Sequence, residues 1–308
     1  MSLNLTILGC HSATPRSNAH TTAQLLEIGN DFYLIDCGEG TQSQLRQYKI
    51  KFSRIERIFI SHLHGDHFFG LIGLISTFSL LNRKTELHVY GPVGLKEIIL
   101  QQLKFSNSWL SYPLIFHELS SPVSELIFEN EKVAIYTIPL AHRIYTNGFL
   151  FKEKQAPRKL DMLNISNYPE IEICDYQNIK NGKDFKTRDN QTIPNAVLTL
   201  DPPKILQYAY CSDTVYDERI IPIIEGVDLL YHESTFLEDR EDLAAKTKHA
   251  TALQAATIAK KANVNQLILG HYSSRYKNLQ LFLEEAQQEF ENVSLAEAGK
   301  KYALTNQY

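Results

Sequence analysis

The sequence predicts one domain of mixed α/β or α+β class that carries a single inserted segment. Three observations support this prediction. The 308 residues are 44% hydrophobic and 21% charged, a balance typical of a folded domain. Short apolar or alternating runs bounded by turn residues recur in both halves, and longer segments between them have apolar residues at helical spacing. Between 151 and 195 this periodicity is lost.

The first half is predicted to consist mainly of strands. The predicted strands are 3–8, 22–28, 32–35, 57–60, 87–90, 116–118, 125–128 and 132–139. Glycines within 36–40 end one strand before a helix that begins at 41, and another helix covers 94–104. The apolar run 68–81 is shorter than the roughly 20 residues that a membrane span requires. We therefore expect a buried helix there.

The second half is predicted to repeat the alternation of strand and helix. The predicted strands are 206–211, 229–231 and 266–270, and the predicted helices are 251–262 and 279–290. The segment 151–195 has three prolines, several asparagines and dense charge. We expect this segment to leave the main domain as an arm.

Charge and cysteine content limit the function classes. A net charge of −4 gives no overall attraction to nucleic acid, so RNA binding would need a local basic surface. The candidates for such a surface are Lys152, Lys154, Arg158 and Lys159, followed by the cluster Lys180, Lys183, Lys186 and Arg188. The four cysteines are scattered without a C-x-x-C pair, which favours reduced thiols, and residues 1–8 lack the basic segment of a secretion signal. We therefore expect a cytoplasmic protein.

The stretch 61–67 has the composition of a metal site. His62, His64, Asp66 and His67 follow a predicted strand at H-x-H-x-D-H spacing. On a loop that leaves a strand, His62 and His64 can bind one ion while Asp66 and His67 face a second. Imidazole and carboxylate ligands suit zinc and, less commonly, manganese or iron. The alternative is a histidine-rich surface loop whose polar groups are satisfied locally.

Three later residues could complete a site for two ions. His142, Asp213 and His271 each come just after an apolar strand-like run. One such residue would be weak evidence, because a lone His or Asp after a strand is usually a turn or cap residue. Four successive strand ends with metal-binding chemistry make a stronger pattern.

These motifs resemble the metallo-β-lactamase superfamily and, more narrowly, the ribonuclease Z family. The H-x-H-x-D-H loop with the distant His, Asp and His indicates the superfamily. The narrower resemblance depends on five further segments, which are 8–15, 36–42, 232–236, 248–252 and 270–276. It implies an αββα sandwich, a zinc-dependent endonuclease that cuts the 3′ trailer from transfer RNA precursors, a homodimer, and an arm at 151–195 that binds transfer RNA. The arm of this chain lacks the Gly-Pro-rich tip common in that family.

The resemblance also implies the ligand sets. His62, His64 and His142 would hold one ion, whereas Asp66, His67 and His271 would hold the other. Asp213 would bridge the two. Two such ions activate water and stabilise the entering and leaving oxygens at phosphorus. Asp36 comes at a strand end that the family places beside the metal loop, where it would either hold that loop by hydrogen bonds or cap the following helix.

Three residues are expected to act on protons during the reaction. Asp66 is a candidate for orienting the attacking water or accepting its proton. His249 is a candidate for donating a proton to the leaving 3′-oxygen, and Glu233 would keep that imidazole protonated. The transfer RNA would then keep a 3′-hydroxyl and the trailer a 5′-phosphate. Arg275 is expected to contact a phosphate or brace its loop, and His249 could instead be a solvent-facing residue near a helix start.

Two other function classes fit parts of the sequence. One is a dinuclear hydrolase of a small phosphodiester, lactone, thioester or β-lactam, and the other is a non-catalytic binding protein on a hydrolase scaffold. A small substrate needs neither the arm nor the segments 232–236 and 248–252. A scaffold without activity is disfavoured because the ligand set is complete.

Overall fold

A computed structural model describes residues 2–14, 16 and 18–305, with the side chain of Ser2 excepted. Pro15, at the end of the segment 8–15, lies outside the described residues. The described residues divide into two compact units, one within 2–152 and 206–305 and the other formed by 153–205.

The described residues form eighteen strands. In chain order the strands are β1 Ser2–Gly9, β2 Ala23–Ile28, β3 Asp31–Ile35, β4 Ile55–Phe59, β5 Leu87–Pro92, β6 Leu114–Leu119, β7 Leu126–Glu129, β8 Val133–Leu140, β9 Thr146–Glu153, β10 Lys159–Leu160, β11 Phe185–Lys186, β12 Thr192–Ile193, β13 Thr199–Leu200, β14 Gln207–Cys211, β15 Leu229–Glu233, β16 Leu267–Gly270, β17 Val293–Leu295 and β18 Lys301–Thr305. Of these, β10 to β13 belong to the smaller unit.

Helices flank these strands. The α-helices are α1 Thr41–Gln47, α2 Gly65–Phe68, α3 Leu71–Leu80, α4 Leu95–Phe105, α5 Met162–Ile165, α6 Tyr176–Lys180, α7 Asn195–Leu198, α8 Ile221–Ile224, α9 Glu241–Thr247, α10 Ala252–Lys261 and α11 Gln280–Ala286. Short 3-10 turns cover Phe52–Arg54, Ile173–Asp175, Glu218–Ile220 and Glu238–Arg240. None of the described helices has the length and apolar character that a membrane crossing requires.

The larger unit contains two seven-stranded sheets. The first has the order β18-β1-β2-β3-β4-β5-β6, and the second has the order β17-β16-β15-β14-β9-β8-β7. The chain builds the first sheet, crosses to the second, and returns to the first through β18, which pairs antiparallel with β1. Strands β3 to β6 are parallel, as are β14 to β17. The parallel carboxyl ends therefore lie at one edge of each sheet.

Alternating side chains produce four layers. Leu5 and Tyr33 of the first sheet share a buried cluster with Phe149 of the second sheet, so the two sheets pack face to face. Leu34, the neighbour of Tyr33, points to the other face and packs in a second cluster with Leu74 of α3. Helices α10 and α11 cover the second sheet. This is the predicted αββα sandwich, and the fold prediction is confirmed.

Several elements differ from the sequence prediction. The expected helix 68–81 is two helices, α2 and α3, interrupted at Phe69 and Gly70. A Cβ at Gly70 would lie 2.2 Å from the carbonyl oxygen of Gly38, so this turn needs glycine. The predicted helix was expected to be buried, but the end of α3 is exposed, and Leu80 keeps 82% of its surface accessible. The expected helix 279–290 ends at Ala286.

The smaller unit has its own core. Ile165, Ile179 and Leu198 are buried together, and short pairs of strands, β10 with β13 and β11 with β12, join its ends and its tip. The four basic residues of the predicted cluster at 180, 183, 186 and 188 follow one another from the end of α6 through β11 into the turn before β12. Between 153 and 205 there are as many acidic as basic side chains.

Candidate metal centre

The seven predicted ligands lie together at one edge of the larger unit. Strand β4 ends at Phe59, and the loop after it carries His62 and His64 before α2 begins at Gly65. The other ligands are carried by α2 and by the loops that follow β8, β14 and β16, and these are Asp66, His67, His142, Asp213 and His271. The edge where parallel strands end is the usual place for a site in an α/β sheet.

The first group of donor atoms comes from three histidines. His64 Nδ1 lies 3.0 Å from His62 Nε2 and 3.3 Å from His142 Nε2. The Oδ2 oxygen of Asp213 is 3.5 Å from His62 Nε2 and 3.8 Å from His142 Nε2. Four donor atoms therefore converge on one point.

The second group uses the other oxygen of Asp213. Its Oδ1 lies 3.3 Å from both His67 Nε2 and His271 Nε2. Asp66 Oδ2 is 3.6 Å from His67 Nε2 and 3.4 Å from His271 Nε2. Since the two oxygens of Asp213 face different groups, this carboxylate occupies a bridging position.

Hydrogen bonds on the far side of the rings fix which nitrogen faces the centre. His142 Nδ1 lies 2.7 Å from the carbonyl oxygen of Lys248, and His67 Nδ1 lies 2.7 Å from Asp36 Oδ2. Because these oxygens only accept, each Nδ1 carries a hydrogen, and Nε2 of each ring faces the centre. His271 Nδ1 contacts Thr235 Oγ1 at 2.8 Å, which likewise leaves Nε2 facing the centre.

The donor set fits metal cations. The ring nitrogens of the first group are separated by hydrogen-bond distances, yet opposed lone pairs repel each other unless a proton or cation lies between them. His67 Nε2 and Asp213 Oδ1 are buried without a hydrogen-bond partner although they are 3.3 Å apart. Buried polar atoms without a partner are costly, and a cation would satisfy both. Nitrogen and carboxylate donors suit zinc, manganese or iron.

The electrostatics of the centre favour positive charge. Burial lowers the pKa of His67, but the carboxylates of Asp213, Asp66 and Asp36 outweigh burial and raise this pKa well above its ordinary value. Burial also lowers the pKa of His142, to about 4, despite the opposing charge of Asp213. His142 is therefore neutral at physiological pH and can act as a ligand.

Asp36 holds the ligand loop from behind. Its Oδ1 accepts from Ser61 N at 2.7 Å, while its Oδ2 accepts from Ser61 Oγ at 2.9 Å and from Tyr210 at 2.5 Å. The residue is fully buried and has a φ of 55°, a strained backbone that non-glycine residues rarely adopt. The helix-cap alternative does not apply, because the residue before α1 is Gly40.

His249 and Glu233 form a buried pair beside the ligands. His249 Nδ1 is 2.8 Å from Glu233 Oε1 and 3.9 Å from Asp213 Oδ2. Burial lowers the pKa of His249, but these two carboxylates outweigh it and raise the pKa to about 9. Thr214 N donates to Oε1 of Glu233 at 3.1 Å, and Thr235 donates to Oε2 through both N and Oγ1. The carboxylate is therefore held in one orientation.

His249 is also close enough to Asp213 and His271 to act as a ligand. Its Nδ1 is paired with the carboxylate of Glu233, however, and that pairing keeps the ring protonated. The nitrogen of His249 that lies 3.9 Å from Asp213 is therefore already bonded to a carboxylate, whereas His67 makes its outer hydrogen bond through Nδ1 and turns Nε2 toward Asp213. The position therefore suits a proton donor next to the metal site better than a further ligand.

A cleft of about 860 Å³ opens over the centre. Arg143 and Arg275 line it, as do Phe69 and Phe236, so the cleft offers two cations and apolar walls. Arg275 belongs to the predicted RNA-binding residues, and it lies in the larger unit. The cluster at 180, 183, 186 and 188 belongs to the smaller unit.

The sequence interpretation missed several residues that support the site. Arg143 directly follows a predicted ligand, and Thr235 lies within a segment already singled out, so position alone could have indicated both. Ser61 also adjoins the metal motif. Tyr210 gave no signal, because its contact with Asp36 joins residues 174 positions apart.

Comparisons with known proteins cover nearly the whole chain. It is 45% identical to Ribonuclease Z of Bacteroides thetaiotaomicron over 304 residues, which cover 98% of this chain and 95% of the relative. It is 48% identical to Ribonuclease Z of Cytophaga hutchinsonii over 309 residues, which cover 99% and 97% of the two chains. Residues 3–121 match the family model described as Anti-Pycsar protein Apyc1.

Solved structures agree with the fold. The short form of human tRNase Z superposes with a TM-score of 0.71 and 27% identity, covering 99% of this chain and 100% of the other. The metallo-β-lactamase fold protein YhfI of Bacillus subtilis superposes with a TM-score of 0.68 at 20% identity, covering 98% and 100%, and shows the fold alone.

Proposed function

Because this chain belongs to the ribonuclease Z family of metallo-β-lactamase fold proteins, we propose that it is the endoribonuclease that removes the 3′ trailer from transfer RNA precursors. The identity of 43–48% to relatives named Ribonuclease Z, over nearly the full length, is the observation that carries this proposal. The convergence of all seven predicted ligands supports a hydrolytic centre.

The proposed cofactor is zinc, with two ions in each subunit. His62, His64 and His142 would hold one ion, Asp66, His67 and His271 the other, and Asp213 would contribute one oxygen to each. When bound, the ions supply an activated water and stabilise negative charge at the phosphorus centre. The outer hydrogen bonds of His67, His142 and His271 hold each ring so that Nε2 faces the centre.

Proton movement is assigned to side chains of this protein. Asp66 Oδ2 accepts from Ala13 N at 2.7 Å, which holds the carboxylate in place to orient the attacking water or take its proton. His249, kept protonated by Glu233, donates to the 3′-oxygen that leaves. The transfer RNA then ends in a 3′-hydroxyl, and the trailer begins with a 5′-phosphate.

The cations in the cleft are assigned to the RNA backbone. Arg275 and Arg143 line the cleft and suit contact with phosphates next to the cut. Lys180, Lys183, Lys186 and Arg188 are proposed to bind transfer RNA from the arm. Their clustering within one helix end and hairpin supports this role, although acidic residues of the same unit offset their charge.

We further propose a homodimer that acts in the cytoplasm. The exposed Leu80 and Trp109 support association, because apolar side chains that lie together in water mark protein interfaces. Ser79 Oγ donates to the carbonyl oxygen of Trp109, which places these chain segments side by side. Sedimentation equilibrium tests the dimer, and a monomeric mass at micromolar concentration would contradict it.

The decisive experiment uses the zinc-loaded protein and a transfer RNA precursor with a 3′ trailer. We expect a metal-dependent cut that leaves a 3′-hydroxyl on the transfer RNA, detected by mapping both ends of the products. His64→Ala is the control and should lose both metal and cleavage. If the precursor stays intact while the same preparation hydrolyses bis(p-nitrophenyl) phosphate, the protein is a small-phosphodiester hydrolase.

A further inference from the structure

A second cavity lies beside the metal centre and is not used by the proposed chemistry. It has a volume of about 480 Å³. Val123, Leu140 and Ile223 provide apolar walls, Tyr145 provides an aromatic ring, and Arg219 stands at its side. The Arg219 side chain remains 81% exposed although it pairs with Asp217.

One short loop separates this cavity from the metal cleft. His142 belongs to the first ligand group and Arg143 lines the cleft, whereas Tyr145 lines the second cavity. Three residues of chain span at most ~11 Å. The loop is fixed to the segment that carries Asp213, because Ala141 N donates to Thr214 Oγ1 at 3.2 Å and Val215 N donates to the Ala141 carbonyl at 3.1 Å.

The aromatic ring in the cavity is held in a fixed position. Tyr145 Oη donates to the carbonyl oxygen of Ser121 at 3.0 Å and accepts from Asn147 Nδ2 at 2.8 Å. Asn147 is itself buried, with 1% of its surface exposed. A ring whose orientation is set before binding loses little conformational entropy when a flat ligand stacks on it.

The loop also contacts the segment of the proposed proton donor. His142 Nδ1 donates to the Lys248 carbonyl, and Arg143 Nε donates to the Thr247 carbonyl at 3.2 Å. These two carbonyls immediately precede His249. The loop that leads to Tyr145 in the second cavity therefore also contacts the segment that carries the proposed proton donor.

We propose that this cavity binds the base of the nucleotide whose 3′-oxygen leaves, which is the last nucleotide retained by the transfer RNA. This inference rests on the proposed function. An apolar pocket with one aromatic ring suits the flat face of a nucleobase, and the exposed guanidinium of Arg219 suits the phosphate on the 5′ side of that nucleotide. Stacking on Tyr145 would hold the retained sugar, and thus its 3′-oxygen, within reach of His249.

The cavity can be tested with two matched valine variants. Val123→Arg places a long charged side chain in this cavity. Val93→Arg does the same in a cavity of about 510 Å³ next to α4, which is not part of the proposed site. The two valines are almost equally exposed, at 62% and 61%. The melting temperature checks that both variants fold, and the metal content checks that both bind metal.

The substrates are three precursors: one unmodified, one abasic at the last retained nucleotide, and one abasic at the first trailer nucleotide. Single-turnover cleavage rates are measured for each. The wild-type protein should cut the first abasic precursor at least ~5-fold more slowly than the unmodified one, which is the lower limit for removing a base that stacks on an aromatic ring. Val123→Arg should cut the unmodified precursor more slowly by a similar factor and show no further decrease on that abasic precursor. Val93→Arg should match the wild type.

Three outcomes overturn the inference. The first is that Val123→Arg cuts the unmodified precursor at the wild-type rate. The second is that Val123→Arg slows cleavage of the precursor that is abasic at the last retained nucleotide by the same factor as it slows the unmodified one. The third is that the variant loses its effect on the precursor that is abasic at the first trailer nucleotide instead. A different result would overturn the proposed function itself, namely that the wild-type protein cuts no precursor while it hydrolyses bis(p-nitrophenyl) phosphate.

Discussion

At the scale of single residues, the surroundings of His249 allow two roles, metal ligand and proton donor. Its Nδ1 pairs with the buried carboxylate of Glu233, and the ring also lies within reach of a metal group with Asp213 and His271. This arrangement keeps the imidazole charged and next to the centre. It also separates two possible roles that can be measured independently, because a ligand affects metal content and a proton donor does not.

We predict that His249→Ala keeps its metal and cuts precursor ~10²–10⁴-fold more slowly, the usual contribution of a positioned acid. Metal content by atomic absorption and single-turnover cleavage are the measurements. His88→Ala in β5 is the control and should cut normally. Loss of one ion in His249→Ala would make the residue a ligand and remove the proton-donor role.

Asp36 provides the second test at this scale. We predict that Asp36→Asn lowers zinc affinity ~10–100-fold, because an amide cannot accept from both Ser61 and His67 while it also accepts from Tyr210. Competition with a zinc chelator measures the affinity. Asp31→Asn, which removes only the half-exposed pair with Lys132, is the matched control. Equal affinities for the two variants would show that the hydrogen bonds of Asp36 do not orient the ligands.

Residue types and spacing indicated the seven candidate ligands, and the resemblance to the ribonuclease Z family added the pairing of His249 with Glu233. The same information did not indicate Tyr210 or the Lys248 carbonyl. Tyr210 resembles an ordinary strand residue, and a carbonyl acceptor has no residue type at all. Such interactions depend on which strands become neighbours, and local sequence does not determine this.

At the scale of elements, the break between α2 and α3 determines where the ligand loop lies. Gly70 N donates to the Cys37 carbonyl, and the Gly70 backbone approaches the Gly38 carbonyl so closely that a side chain has no room. The strand end at 36–38 and the metal loop are thereby held together. The apolar run 68–81 alone suggested one continuous helix, because hydrophobicity does not report a close backbone approach.

We predict that Gly70→Ala destabilises the protein by ~1–3 kcal/mol, the usual cost of overpacking against a rigid neighbour. Gly73→Ala in α3 is the matched control. Its added methyl would meet only the Gln42 side chain, and alanine is favoured in a helix interior by ~0.5–1 kcal/mol. Urea unfolding of both variants measures the difference. Equal stability would mean that the loop can shift away from Gly70 without cost.

Other elements were predictable to within a few residues where hydrophobic alternation was strong. Strand β9 was not predicted, and its Asn147 and Gly148, residue types common in turns, are both buried within the strand. A Cβ at Gly148 would lie 2.2 Å from the Tyr210 carbonyl, so this glycine marks a close approach of β14. Its role depends on a strand more than fifty residues later in the chain.

At the scale of the whole molecule, the arm interrupts a hairpin of the second sheet. Lys152 of β9 pairs directly with Gln207 of β14, so the two ends of the inserted segment are neighbours. All strands of both seven-stranded sheets lie outside 154–205. The sequence predicted an insertion from its composition, but the exact hairpin that it interrupts depends on strand pairing.

We predict that replacing 154–205 with Asn-Gly leaves the larger unit folded and metal-loaded. The register that pairs Lys152 with Gln207 places Glu153 opposite Leu206, and a two-residue Asn-Gly turn matches the twist of such a hairpin. Hydrolysis of bis(p-nitrophenyl) phosphate should stay close to the full-length rate. Cleavage of precursor transfer RNA should weaken through a higher KM, and the slope of its salt dependence should fall by roughly one unit for each phosphate that the arm no longer binds.

The control is an intact arm with alanine at 180, 183, 186 and 188, which should reproduce the change in salt dependence. If the shortened protein cuts precursor with an unchanged KM, the arm is not the binding surface for transfer RNA, and the cations of the cleft must position the substrate without it.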